Sequence, residues 1–533
     1  MKIKLPERVD FYFDGGCDTF LSSDFEEQDG RYVLKNPFES IAFSIKNGEL
    51  TVFLRSPERA VRLLRLEFFG QARENVKVLG DAWERAYADL GWQKPDPEKH
   101  YPWYMAVSNG SDRNRDFSGR FTECFGVKVQ PNALCYWQYG EKSVTLCLDI
   151  GNGKSSTHLS ERELECATVL FNEYENMSAY DSLRDFCKRM SPSPKRTDHV
   201  VYGSNNWYYA YGKSSQEEII TDTECIKRFC QGCKNPPYMV IDDGWEGNSL
   251  DAPWDKGNER FPDMAYLASY IKSRGVRPGI WVRYLADGAN SGTRVLNFPE
   301  EYHIDGENAL DPSHPAVLEY VKSVTKKLVG WGYELIKHDF STVDIFGKWG
   351  FEMTDSPNQK RSRFYDNTKT SAEIVKNFYK VIEEAAGDTV IIGCNCIGHL
   401  CAGIHHLNRT GDDTSGYEFS RTVKYGVNAL AFRSVQNGSF FGADADCVGI
   451  TGSIPWQDNE KWIRVLSESA TPFFVSCKPD VLTPEQENVL SDAFLKASVA
   501  KYDFAPLDWM ETPLPTHYII NGKEKVFDWN IEP

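Results

Sequence analysis

Between residues 197 and 500 short apolar runs alternate eight times with helical stretches, and no other feature of the chain restricts its fold so strongly. The strand candidates are Val200–Trp207, Tyr238–Ile241, Arg277–Val282, Glu334–Lys337, Thr389–Gly393, His406–Thr410, Ser439–Gly442 and Pro472–Ser476. Helix candidates fall between and after them, around Ile219–Phe229, Ala265–Ser273, Ala316–Leu328, Ser371–Ala385, Arg421–Val427, Glu460–Ser469 and Glu485–Ala497. Strands alternating with helices at this spacing are βα units on a parallel sheet. Eight of them over about 300 residues predict a closed (β/α)8 TIM barrel, whose catalytic groups sit at the C-terminal ends of the strands.

The chain upstream follows another rhythm. Val144-Thr-Leu146-Cys-Leu148-Asp-Ile150, Phe43-Ser-Ile45 and Leu50 through Leu54 alternate with period two, between turn signals such as Asn47-Gly48 and Asn152-Gly153. That predicts a β-sandwich over residues 1–190 with a trailing helix, whose stripe is Tyr180, Leu183, Phe186 and Met190 and whose stop is Ser191-Pro192-Ser193-Pro194. Residues 501–533 hold Thr516-His-Tyr-Ile-Ile520, Asn521-Gly522 and Val526-Phe-Asp-Trp529, a short C-terminal β-hairpin segment.

A chain of 533 residues exceeds the roughly 250–300 at which one core stops growing, in keeping with several domains. With 41% hydrophobic and 26% charged residues and no apolar run near the roughly 20 that span a bilayer, a soluble globular protein is expected. Net charge −17 opposes binding to nucleic acid or to anionic membrane. The start, Met1 to Pro6 followed by Arg8, Asp10 and Asp14, leaves no room for a secretory signal, and the 14 cysteines are scattered, as for reduced thiols in a cytoplasm. Self-association is left open. Aromatic residues make up 13% of the chain, a supply of flat faces that suit sugar C–H patches, although most such rings fill cores.

Polar residues gather at the strand ends. Asn206 and Trp207 close the first strand, Asp242-Asp243-Gly244-Trp245 the second, Trp281 the third and Lys337-His-Asp339 the fourth. Cys394-Asn395-Cys396, Arg409-Thr-Gly-Asp412-Asp413 and Asp444-Ala-Asp446 continue the ring. Unpaired charge at the end of a buried strand is costly, so a ring of carboxylates points to function. Lys337 and Asp339, two apart on a strand, face the same way, and the ammonium keeps the carboxylate ionised, as a nucleophile requires. Glycoside cleavage with retention needs a second, protonated carboxyl about 5–5.5 Å away, which Asp412 or Asp413 can supply. His399, His405 and His406 are close in sequence, but neighbouring histidines on a strand face opposite sides, so neither metal nor cofactor is expected.

Met239-Val-Ile-Asp242-Asp243-Gly244-Trp245, Arg277-Pro278-Gly279-Ile280-Trp281, Leu310-Asp311-Pro312-Ser-His-Pro315 and Trp331-Gly332-Tyr-Glu-Leu-Ile-Lys337-His-Asp339 resemble the melibiase-type α-galactosidases of glycoside hydrolase clan D, family 36 in particular. Gly80-Asp81-Ala-Trp83-Glu84-Arg85-Ala-Tyr87-Ala-Asp89-Leu90 and Val127-Lys-Val-Gln-Pro131-Asn132-Ala-Leu-Cys135 are similar to that group and to its raffinose-synthase relatives. The resemblance implies Asp339 as nucleophile and Asp412 as acid/base, with Asp413 as the alternative. It implies that Asp242 and Asp243 bind the C4 and C6 hydroxyls, Lys337 the C3 and C4 hydroxyls and Arg409 the C2 hydroxyl, while Trp207 stacks on the sugar. Trp281 and Cys396 join the substrate-binding set, with Cys394 and Asn395 as the other fifth-strand candidates. Departures from the pattern are Arg283 and Tyr284 after Trp281, and Gly411 where Ser or Ala is usual. The implied activity is retaining hydrolysis of terminal α-linked galactose from oligosaccharides. The alternatives are an α-N-acetylgalactosaminidase or a raffinose-synthase-like transglycosylase on the same site, or a carbohydrate-binding protein without catalysis.

Overall fold

The computed structural model describes residues 3–70, 73–247, 254–287, 297–305, 307–501 and 503–529. Its N-terminal part holds two antiparallel sheets, one of six strands and one of eight. Period-two alternation acts as expected: in Glu49–Arg55, Leu50, Val52 and Leu54 are buried and the residues between them are not. The helix Ala179–Met190 follows, capped by the Ser178 hydroxyl accepting from Asp181 N and burying Tyr180, Leu183, Phe186 and Met190.

The remainder is organised by a strongly curled parallel sheet. Its strands in chain order are β1 (Tyr202–Asn205), β2 (Tyr238–Ile241), β3 (Arg277–Val282), β4 (Leu335–His338), β5 (Val390–Gly393), β6 (Leu407–Arg409), β7 (Gly442–Asp444), β8 (Val448–Ile450) and β9 (Phe473–Cys477). They pair in the order β7-β6-β5-β4-β3-β2-β1-β9-β8. The two edge strands, β7 and β8, are separated only by Ala445, Asp446 and Cys447, so the chain itself ties the edges of the sheet together.

Three expectations need correction. Ser439–Gly442 is not a strand: Gly438 turns at φ 71°, and Phe440 packs against His399 and Tyr104, so this apolar run is buried by side packing and the strand begins only at Gly442. The helix expected over Arg421–Val427 is interrupted by a π turn at Thr422–Val427, a wider winding that often accompanies functional sites. At the C-terminus the hairpin pairs His517–Ile520 with Lys523–Val526 through Asn521-Gly522, both at positive φ, and a third strand, Phe504–Pro506, joins it. All 14 cysteines are free thiols. No helix among the described residues is long and apolar enough to cross a membrane.

Candidate active site

The floor of the site is a buried ion pair. Lys337 Nζ, from β4, meets Asp242 Oδ2, at the end of β2, at 2.8 Å, and Asn205 Nδ2 of β1 donates to the same oxygen at 2.6 Å. Burial alone would favour the neutral amine, but Asp242 and Asp339 hold the Lys337 ammonium well above its ordinary pKa. Two residues on, the Asp339 carboxylate takes Trp281 Nε1 on Oδ2 at 3.1 Å and the Phe340 amide on Oδ1 at 2.7 Å. Phe340 is left-handed at φ 61°, a conformation costly for a large side chain and one that turns its N–H onto the carboxylate. Trp281 is therefore a holder of Asp339 more than a sugar platform: it is buried, edge-on to Trp254 and Phe340. Trp281→Phe keeps the ring packing and removes one bond to a charged group, which is worth about 1.5–3 kcal/mol. Turnover is expected to fall about 10- to 100-fold with the melting curve little changed, measured by steady-state kinetics and calorimetry.

Across the mouth, Asp412 and Asp413 share three guanidinium groups. Arg85 Nη2 lies 2.9 Å from Asp412 Oδ1 and Arg85 Nη1 3.2 Å from Asp413 Oδ1. Arg421 approaches Asp412 at 3.6 Å and Arg409 reaches Asp413 at 3.1 Å. Burial favours the neutral acid at Asp413, yet Arg85, Arg409 and Lys337 outweigh it and hold that carboxyl at about 2. Arg409 is fully buried and its strongest partner is Asp446 at 2.8 Å, so it underlies the pocket instead of projecting into it.

Asp243 is the reverse case. Burial first, then the neighbouring Glu246 and Asp242 carboxylates, push its carboxyl up to about 8, and its Oδ1 is a buried acceptor with no hydrogen bond among the described residues. Trp207 is half-buried on a short helix after β1, beside Tyr211, which in turn neighbours Tyr417; both tyrosines are exposed, forming an aromatic rim.

The fifth-strand residues divide. Cys396 is fully buried with Sγ against Ser341 Oγ and His338. Asn395, left-handed at φ 56°, donates to both carboxylate oxygens of Glu84 at 2.9 Å. The Cys394 thiol stands within the field of Asp339, Lys337 and Arg409, and Asp339 acts on Cys396 as well. Of the three histidines, His399 bonds the Val127 carbonyl and His406 accepts from the Ile391 amide, each a packing role. His405 instead meets His338, Nε2 to Nε2 at 3.3 Å, with Cys396 alongside, a buried set whose donor atoms lie within 4.8 Å of one another. Burial keeps both of these imidazoles neutral.

Sequence reasoning assigned no role to Glu84 and Arg85. Both arrive from the N-terminal part, Glu84 fully enclosed and its carboxyl pushed up to about 7 by burial, with Asp339 and Asp412 adding to the shift. Their only sequence signal was the motif Gly80–Leu90, which the resemblance marked without a role.

The frame of the site is a curled parallel sheet with carboxylates at its strand ends, accompanied by antiparallel sheets. No protein-family model matches the chain, and no curated protein matches it in sequence. Solved structures do. The α-galactosidase TtGalA from Thermus thermophilus, in complex with p-nitrophenyl α-D-galactopyranoside, has TM-score 0.62 and 15% identity over 93% of this chain and 98% of its own. The family 36 α-galactosidase AgaA from Geobacillus stearothermophilus, as a variant in complex with 1-deoxygalactonojirimycin, has TM-score 0.60 and 13% identity over 95% of this chain and 75% of its own. An α-galactosidase from Lactobacillus brevis has TM-score 0.58 and 12% identity over 92% and 70%. The chain carries the fold of the family 36 α-galactosidases.

Proposed function

We propose that this chain is a retaining α-galactosidase, a (β/α)8 barrel behind an N-terminal β-sandwich, that removes terminal α-linked galactose from oligosaccharides. The observation that carries the reading is the Asp339 carboxylate, held by Trp281 Nε1 and the Phe340 amide beside the Lys337 ammonium and opposite an arginine-held carboxylate pair. Asp339 attacks the anomeric carbon as a carboxyl of the pair protonates the departing oxygen. Water, deprotonated by that same carboxylate, then releases the sugar with its configuration retained. Within the pair, the resemblance points to Asp412. Asp413 is the more open of the two, its side chain 37% exposed against 16% for Asp412, but Arg85, Arg409 and Lys337 keep its carboxyl ionised, so it holds no proton to donate. We assign the acid/base role to Asp412 and a charge-holding role to Asp413.

We assign Asp242, Asp243 and Lys337 to the sugar hydroxyls, and Asp243 Oδ1, a buried acceptor with no hydrogen bond among the described residues, to the axial one. A site built to bond a hydroxyl rejects an epimer by up to about 10⁴-fold, far more than an apolar pocket does. Among nitrophenyl α-galactoside, α-N-acetylgalactosaminide, α-glucoside and β-galactoside, the first is expected to be turned over best. Preference for either of the last two overturns the reading; preference for the second changes only the sugar.

A further inference from the structure

The Gly80–Leu90 segment lies far before the acid/base pair in the chain, the Arg85–Asp413 contact spanning 328 residues, yet it is bonded to that loop backbone to backbone. Ala86 N donates to Thr410 O at 2.8 Å and Asp412 N to Ala86 O at 2.9 Å, a short parallel bridge between Ala86 and Gly411. Gly411 has no room for a side chain: a Cβ there would lie 2.6 Å from Ala429 Cβ and 2.8 Å from Tyr425 O. The bridge is anchored behind by Arg433, which bonds Asp81 Oδ1 at 2.8 Å and the Thr410 carbonyl at 3.1 Å. On this base the Arg85 guanidinium lies between two carboxylates, with Nε donating to the Tyr87 hydroxyl at 3.2 Å and lying 3.6 Å from Glu84. Glu84 is itself fixed by Asn395 beyond the fifth strand.

We propose that Arg85, delivered to the barrel mouth by the N-terminal part of the chain and backed by Glu84, is a positioning residue that fixes Asp412 and Asp413 as one unit and sets which of them faces the leaving group. The proposal rests on the reading of the site given above. Arginine suits this role because its rigid fork can bond two carboxylates at once, whereas a lysine offers a point charge. The charges facing the fork are Asp412 and Asp413 from the loop, Glu84 from its own segment, and, around Asp413, Arg409 and Lys337 from the strands. Removing Arg85 therefore leaves, among the described residues, Asp412 with Arg421 alone and Asp413 with Arg409 and Lys337, and nothing then bonds the two carboxylates together.

The test compares the parent, Arg85→Met and Arg85→Lys on aryl α-galactosides whose leaving groups run from dinitrophenol to unsubstituted phenol, with kcat/KM and melting curves measured for each. Arg85→Met is expected to lose about 100-fold on phenyl galactoside and under about tenfold on the dinitrophenyl compound. Arg85→Lys should recover the rate only in part. Loss of a merely structural arginine lowers the melting point and slows all substrates alike. If Arg85→Met does not fold, the same leaving-group split must appear in Arg85→Lys. An active parent whose variants lose equally on every leaving group overturns the proposal alone. A parent inert on all these galactosides overturns the reading of the site, and the proposal with it.

Discussion

Asp339→Asn is expected to lower turnover of an activated aryl α-galactoside by more than about 10⁴-fold, the scale on which removal of a catalytic nucleophile acts. An amide is too weak a nucleophile to attack the anomeric carbon. The same substitution has a second, smaller consequence. Both carboxylate oxygens accept from donors, Trp281 Nε1 at 3.1 Å and Phe340 N at 2.7 Å, and an amide offers one acceptor and one NH₂ in their place. One buried donor must face another, at a cost of about 1–3 kcal/mol. The melting temperature should drop by a few degrees while circular dichroism stays that of the parent. Residual activity within about tenfold of the parent would remove Asp339 from the mechanism. Azide gives a further check in Asp339→Ala: entering the space of the lost carboxylate, it attacks the opposite face and yields the β-galactosyl azide.

What the sequence revealed and what it hid follow from the range of the interactions. The edges of Tyr238–Ile241 and Arg277–Val282 were legible because each is a short apolar run closed by residues that begin a different pattern, Asp242 after one and Arg283 after the other. The orientation of Lys337 and Asp339 was legible too, since it depends only on the two-residue repeat of a strand. Ser439–Gly442 misled because apolar character records burial and not its cause: Phe440 and Phe441 are buried by rings of other elements and of each other. The end of the fifth strand was not legible: left-handed Asn395 breaks the two-residue alternation there, so spacing alone does not orient Cys394 and Cys396.

The charge balance of the site was the least legible part. Counting charge along the strands gives a surplus of carboxylates at the mouth. Arg85 and Arg421, from outside the strands, reduce it, and their partners are set by tertiary packing. Arg409 was found by its position in a motif, but its burial against Asp446 could not be read from that position.

Replacing one member of the carboxylate pair should separate their roles. Asp413→Ala leaves Arg409 paired with Asp446 and Arg85 paired with Asp412, so no buried guanidinium loses its last carboxylate and the fold should persist. Asp412→Ala likewise leaves Arg85 with Asp413, and Arg421 is partly open to solvent. If Asp412 is the proton donor, its loss should cost about 10²–10⁴-fold on substrates with poor leaving groups, the range that acid–base assistance contributes. Dinitrophenyl galactoside, whose phenolate departs unaided, should lose far less at the first step. Its turnover should then be limited by hydrolysis of the galactosyl-enzyme, for which the variant lacks a base. Azide needs no base, so it should accelerate that second step and give the α-galactosyl azide, opposite in configuration to the product from Asp339→Ala. Asp413→Ala should show a weaker loss, similar on all leaving groups, and no azide product. If α-azide forms with Asp413→Ala and not with Asp412→Ala, the two assignments are exchanged. If it forms with neither, the proton donor lies outside the pair, and the raised carboxyl of Glu84 becomes the group to replace next.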